Sequence, residues 1–201
     1  MKEMPTSTTE KIERIRSVDD LNKIIENAPQ LSNIDTDKAP FADYHQNTHK
    51  SWNMVPPEVV DDYLKEKLFF NTSHIPYDSK KEIGEVSSDE PIKIPLDLVV
   101  YAEGFSDWRG RKSGEKSWNI KSGEKNLNGE MASLDVIKLY AGSPTEIPEV
   151  RYMQMYIQPN KKVFFDNGSG DSHRIAAAIL RGDKYIESKY VIVYQLDEDY
   201  I

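Results

Sequence analysis

The sequence predicts an α+β core over residues 92–201, preceded by a helical and irregular extension over residues 1–91. Three observations predict it. From Ile92 the apolar pattern runs strand, loop, helix, strand, strand, helix, strand. The run Val163-Phe164-Phe165 passes through a polar, glycine-bearing turn into the strong helix formers Ile175 to Leu180, which Gly182 closes at a C-cap position. Before residue 92, apolar residues recur only at helical spacing and are separated by polar, proline-bearing stretches.

The bulk properties narrow the functions open to the chain. Its 201 residues suit one domain of ordinary size plus an extension, and 38% hydrophobic against 30% charged residues confines the core to part of the chain. The formal net charge of −8 argues against broad nucleic-acid binding by phosphate neutralisation. With no cysteine, disulfides, thiolate metal sites and cysteine nucleophiles are excluded. No apolar run approaches the ~20 residues of a membrane span, and the Lys- and Glu-rich start lacks a signal-peptide core. A soluble cytoplasmic protein without membrane contact is expected, with export by a signal-less route left open.

In the extension, Ser7 and Glu10 have capping-box spacing, with Ile12, Ile15 and Val18 following at helical intervals. Asp19 opens a further turn carrying Leu21, Ile24 and Ile25, and the helix ends near Pro29. Such a stripe either docks on a protein partner or packs on its own domain, the commoner use. His45 and His49 stand at i and i+4, but the Glu of an H-E-x-x-H zinc site is missing, which favours a solvated loop or contact segment. Pro56 and Pro57 open a second helix with Val59, Val60, Tyr63, Leu64 and Leu68 as its stripe. Residues 71–91 are polar and charged and read as a linker.

In the core, Ile92 to Tyr101 alternates and then turns continuously apolar, a strand signature, with Pro95 at an edge or strand start. It runs into a charged, glycine-bearing loop from Ala102 to Arg111, and then into Lys-Ser-Gly-Glu-Lys at 112–116, repeated at 121–125. The repeat is either a hairpin or a basic flap over an anionic ligand. Ser133 caps a short helix ending at Gly142; Glu149 to Ile157 is a strand, residues 159–162 a turn, and Val163 to Phe165 the strand pairing back. Tyr190 to Leu196 is the last strand.

The stretch Asp166-Asn-Gly-Ser-Gly170-Asp-Ser-His-Arg174-Ile-Ala-Ala-Ala178, between a strand and a helix and followed by a glycine and a final strand, resembles the ParB/sulfiredoxin-like superfamily. Members carry a D-G-x-H-R-x-x-A-A or G-C-H-R pattern there, and Ile94-Pro-Leu-Asp-Leu98 is similar to their first strand. The likeness spans roughly residues 92–197. It implies a mixed-sheet core that binds nucleotide phosphate at the loop–helix junction, in a family of nucleotide-dependent kinases, reductases of oxidised cysteine and nucleotide-switching partition proteins. The sequence departs from the family in three ways. Ser172 stands where sulfiredoxins carry their reactive cysteine, which removes that chemistry. The chain ends soon after the last strand, which disfavours the DNA-binding region of partition proteins. The stretch from Asp166 to Gly170 is longer than the usual motif.

The residue chemistry agrees. Gly168 and Gly170 let backbone N–H groups approach an anion, and Asp171, Ser172, His173 and Arg174 stand at the positive end of a helix dipole. Arg174 suits a bidentate phosphate clamp, and His173 a hydrogen bond or proton exchange. The alternative is a structural loop in which His173 and Arg174 bind carbonyls or pair with Asp166 or Asp171. Phosphoryl transfer also needs a carboxylate and positive charge. Glu103, first, and Asp107, second, are the candidate base or metal ligands, and Arg109 and Arg111 the cations; kinases resembling this fold place an acidic residue near that strand. Asp166 and Asp171 are further metal candidates. Trp108 and Trp118 suit either base stacking or packing. A triad of Asp171, Ser172 and His173 is excluded, since adjacent side chains on one turn do not reach triad geometry.

The reading is thus a nucleotide-phosphate-binding enzyme, using ATP or another nucleotide with Mg²⁺, that hydrolyses it or transfers its phosphoryl group to an unidentified acceptor. The alternatives are a ParB-like nuclease or toxin-like effector acting on nucleic acid, or a non-catalytic module whose extension binds a protein.

Overall fold

The computed structural model describes residues 14–42, 57–68, 70–101, 141, 147, 149–167 and 171–201. Helix α1 spans Val18–Glu26 and α2 spans Pro57–Leu64. Strands β1 (Lys80–Pro95) and β2 (Val99–Tyr101) follow, then β3 (Met153–Ile157), β4 (Val163–Asn167), helix α3 (Ser172–Arg181) and β5 (Tyr185–Leu196). The protein is therefore mixed α+β, with a five-stranded sheet in the order β1-β5-β3-β4-β2. The pairs β1/β5 and β3/β4 are antiparallel, and β5/β3 and β4/β2 parallel.

Helix α3 covers one sheet face. Its residues from Ile175 to Leu180 are all buried, and three consecutive alanines let its backbone sit close to the strands. Val163 and Phe165 of β4, Met153 and Met155 of β3, and Val191 and Val193 of β5 meet it there. Strand alternation sends Tyr156 and Phe164 to the other face, where they stack with ring centroids 5.0 Å apart and join Ile75, Val100 and Leu196. Phe70 and Tyr200 pack on that second cluster.

The extension belongs to the first cluster. Ser17 accepts from the Asp20 amide at 3.1 Å and starts α1, whose Leu21 is fully buried. Ile15, expected inside a helix, instead forms a one-residue parallel bridge to Gly84 of β1, with its N–H on the Ile83 carbonyl. The carbonyl end of α3 is closed by this extension. Phe41 N–H donates to Leu180 O at 2.9 Å, and the Tyr63 hydroxyl to Ile179 O at 2.8 Å.

Two further local expectations change. The stretch read as a linker contains most of β1, which starts at Lys80. As the edge strand of the described sheet, met on its outer side by the single Ile15 bridge, it stays polar, and pairing shifts between Glu82 and Gly84 and between Ser87 and Ile92 break its alternation. The run Ile92 to Tyr101 is two strands joined by the 3₁₀ turn Leu96–Leu98. Pro95 has no N–H to continue a ladder, and Leu96 N–H turns to Lys184 O at 2.9 Å. That turn links opposite sheet edges. Four strand spacings on a flat sheet measure about 19 Å, whereas four Cα steps reach at most about 15 Å, so the sheet coils to bring its edges together. Among the described residues no helix is long and apolar enough to cross a membrane.

Candidate functional site

The junction of β4 and α3 divides its side chains between the two sheet faces. Asp166 shares a face with Phe164, and Asn167 shares one with Phe165, as strand alternation requires. Asn167 Nδ2 donates to Ser172 Oγ at 2.9 Å, which binds the strand end to the first residue of α3. Ser172 is buried and His173 half-buried.

Asp166 points away from the helix. Its carboxylate accepts a hydrogen bond from the Thr72 hydroxyl, supplied by the 3₁₀ turn Thr72–His74. Burial pushes the Asp166 carboxyl up to about 6, against the opposing pull of the Thr72 bond, the Asn167 amide and Lys80. Neither Thr72 nor Lys80 was marked by any motif. Thr72 lies 94 residues from Asp166 in the chain, so only the fold joins them.

Asp171 and Arg174 form a clamp. Asp171 is the N-cap residue of α3, but its side chain makes no cap bond. One carboxylate oxygen accepts from Arg151 N–H at 2.8 Å, and the other lies 3.4 Å from the Arg174 guanidinium. Arg174 also donates to Glu149 O at 2.6 Å. The segment 149–151 is thereby fastened to the first turn of α3, and Val150 N–H continues the attachment onto Glu187 O of β5 at 2.8 Å. Of the partners raised by the structural-loop alternative, a carbonyl and Asp171 are thus present on Arg174, while Asp166 accepts from Thr72. The clamp also fixes the guanidinium charge at the helix mouth.

Gly168, Gly170, Glu103, Asp107 and Arg109 lie outside the described residues, as do Arg111, Trp108, Trp118, His45, His49 and both copies of the short repeat. The described strands nonetheless constrain where the chain leaves for residue 103. Strands β2 and β4 are parallel neighbours with Tyr101 paired to Asp166, so both end at the same side of the sheet. Ligands of α/β folds gather outside the carboxyl ends of such strands. Among the described residues, no three His, Asp or Glu side chains stand together as a metal site.

Comparison with family models, curated proteins and solved structures finds no match for the chain.

Proposed function

We propose that the core is of the ParB/sulfiredoxin type and that the β4–α3 junction binds the phosphate groups of a nucleotide, which the protein hydrolyses or whose phosphoryl group it transfers. The observation that carries this reading is the parallel pairing of β2 and β4, with Tyr101 opposite Asp166. Both strands end on one side, with α3 opening five residues after Asn167 and Glu103 following two residues after Tyr101. A helix N-terminus supplies partial positive charge and backbone donors to an anion.

In this reading, the backbone at 168–170 and the side chains of Ser172 and His173 hold phosphate oxygens. Arg174, oriented by Glu149 O and Asp171, supplies a fixed positive charge more than a mobile clamp. Glu103, or failing it Asp107, takes the proton from the attacking hydroxyl or water. The same two carboxylates are the ones that would hold magnesium, which would screen the phosphate charge.

The test is thermal melting of the whole chain with ATP, ADP, CTP and GTP, each with Mg²⁺, alongside release of inorganic phosphate. Ligand that binds only the folded state raises the melting temperature. At least one nucleotide is expected to do so, and His173→Gln to weaken that shift without lowering the melting temperature of the free protein. Arg174→Ala is a poor probe, because it also releases segment 149–151. Absence of any nucleotide shift overturns the reading, and cleavage of plasmid or RNA in that same absence installs the nuclease in its place.

A further inference from the structure

A cavity of about 410 Å³ opens at the other end of α3, between the extension and the core. Its walls are apolar where Ile34, Pro95, Leu96 and Ile179 line it, and Tyr63 and Tyr185 add aromatic surface. The volume lies in the range of small-molecule sites. This cavity is remote in the fold from the β4–α3 junction, because it sits on the C-terminal turn of the helix whose N-terminal turn forms that junction.

The polar groups on its wall have a definite sign. Asp97, on the turn between β1 and β2, is half-buried and lines the cavity. Among the described residues its carboxylate makes no hydrogen bond or ion pair, and the buried Lys67 ammonium, bonded to the carbonyls of Leu96 and Val99, acts on it only through its field. Asp183 also lines the cavity, held by Arg181 through contacts of 2.9 and 2.6 Å. The last turn of α3 presents the negative end of its dipole here. Tyr63, whose hydroxyl bonds to Ile179 O, has its ionisation pushed up by burial and then by the charges of Asp183 and Asp35. Lys184 is the opposing charge on the lining and is exposed.

We propose that this cavity binds a small organic cation, an amine or guanidinium carried on an apolar or aromatic body. Asp97 receives the charged group, and the aromatic and apolar walls take the body. A carboxylate already half removed from water gains a charge-assisted hydrogen bond from such a ligand, and the tyrosine rings favour a cation over their faces. An anion or a neutral aromatic would leave Asp97 unpaired beside it.

The experiment is calorimetric titration of the whole chain with tyramine, with para-ethylphenol as the same ring without the charge. Tyramine is expected to bind, and para-ethylphenol to bind at least about tenfold more weakly, since a hydrogen bond to a charged group is worth that much. Asp97→Asn should lower tyramine affinity by a similar factor. Ile34→Trp, which fills the cavity, should abolish binding while Asp97 remains. Thermal melting of each variant establishes that it is folded. Undetectable tyramine binding at millimolar concentration overturns the proposal, as does equal binding of the uncharged ring or an unchanged affinity in Asp97→Asn. Neither variant touches the phosphate site, so nucleotide binding measured on the same samples succeeds or fails independently.

Discussion

Two buried ionisable residues set opposite pH dependences. Lys67 is 4% exposed, and its ammonium donates to Leu96 O at 2.7 Å and to Val99 O, bracing the turn that joins β1 to β2. Burial brings its ionisation down to about 7, and Asp97 opposes the change. Between about 7 and its ordinary 10.5, the unfolded chain holds a proton that the folded chain has released. Stability from this group therefore rises with pH across that window and is lost as pH falls through 7. Lys67→Met should remove the dependence: wild type should gain on the order of a few kcal/mol relative to the variant from pH 7 to 10, measured by urea unfolding at each pH. Asp166 has the reverse sign. Its folded value of about 6 lies above the ordinary 3.8, so the folded state holds the proton longer. Its contribution is full below 3.8 and is lost as pH rises through 6. Asp166→Asn keeps an acceptor for Thr72 and should be more stable than wild type by about 1–3 kcal/mol at pH 7, with the difference shrinking toward pH 4. A constant difference across that range would show that burial of charge is not the cause.

At the scale of elements, helix α3 shows what local sequence can specify. Its run of strong helix formers ends at Gly182, which has φ of +82° and whose N–H returns to Ile179 O at 3.1 Å. Glycine is required twice over. The conformation is left-handed, and a Cβ built there would lie 2.5 Å from Thr36 O and 2.7 Å from the Ala39 Cβ. Gly182→Ala should cost about 1–3 kcal/mol, read as a lower urea midpoint at unchanged slope. The helix, its cap, β3, β4 and the turn between them were legible because periodicity and turn residues act within a few positions. Strand β1 was not legible. Its bulge falls at Gly84, where a Cβ would lie 2.2 Å from the Ile15 carbonyl oxygen, so the break in its pattern sits against a single bridging residue 69 positions away in the chain. The site divides in the same way. The sequence marked Asp171, Ser172, His173 and Arg174 through their spacing, but the facing of Asp166 toward Thr72 and the hold of Arg174 on Glu149 O are pairings across 94 and 25 residues. No local signal encodes a pairing of that length.

At the scale of the whole molecule, the division between an extension over 1–91 and a core over 92–201 can be tested by cutting there. Such a cut removes Lys80 to Pro91, and with them most of the ladder from Lys80↔Leu196 to Ser87↔Tyr190 that shields β5 from solvent. It removes Phe41 N–H from the Leu180 carbonyl, a buried acceptor at the end of α3 whose loss costs about 1–3 kcal/mol, and the Tyr63 hydroxyl from Ile179 O, which keeps the Gly182 N–H. Ile15, Leu21, Phe41, Tyr63 and Leu64 leave the cluster shared with α3 and β3, at a further ~1.5–3 kcal/mol for each large side chain. Together these losses are as large as the 5–15 kcal/mol that holds an ordinary domain folded. A chain of residues 92–201 should therefore lack a cooperative thermal transition, and a chain beginning at Arg14 should retain one. Dispersed amide resonances from 92–201 alone would overturn this expectation and make the extension a separable appendage. Cooperative unfolding of the longer chain together with their collapse in the shorter would show that the residues before β1 are part of the structure that carries both proposed sites.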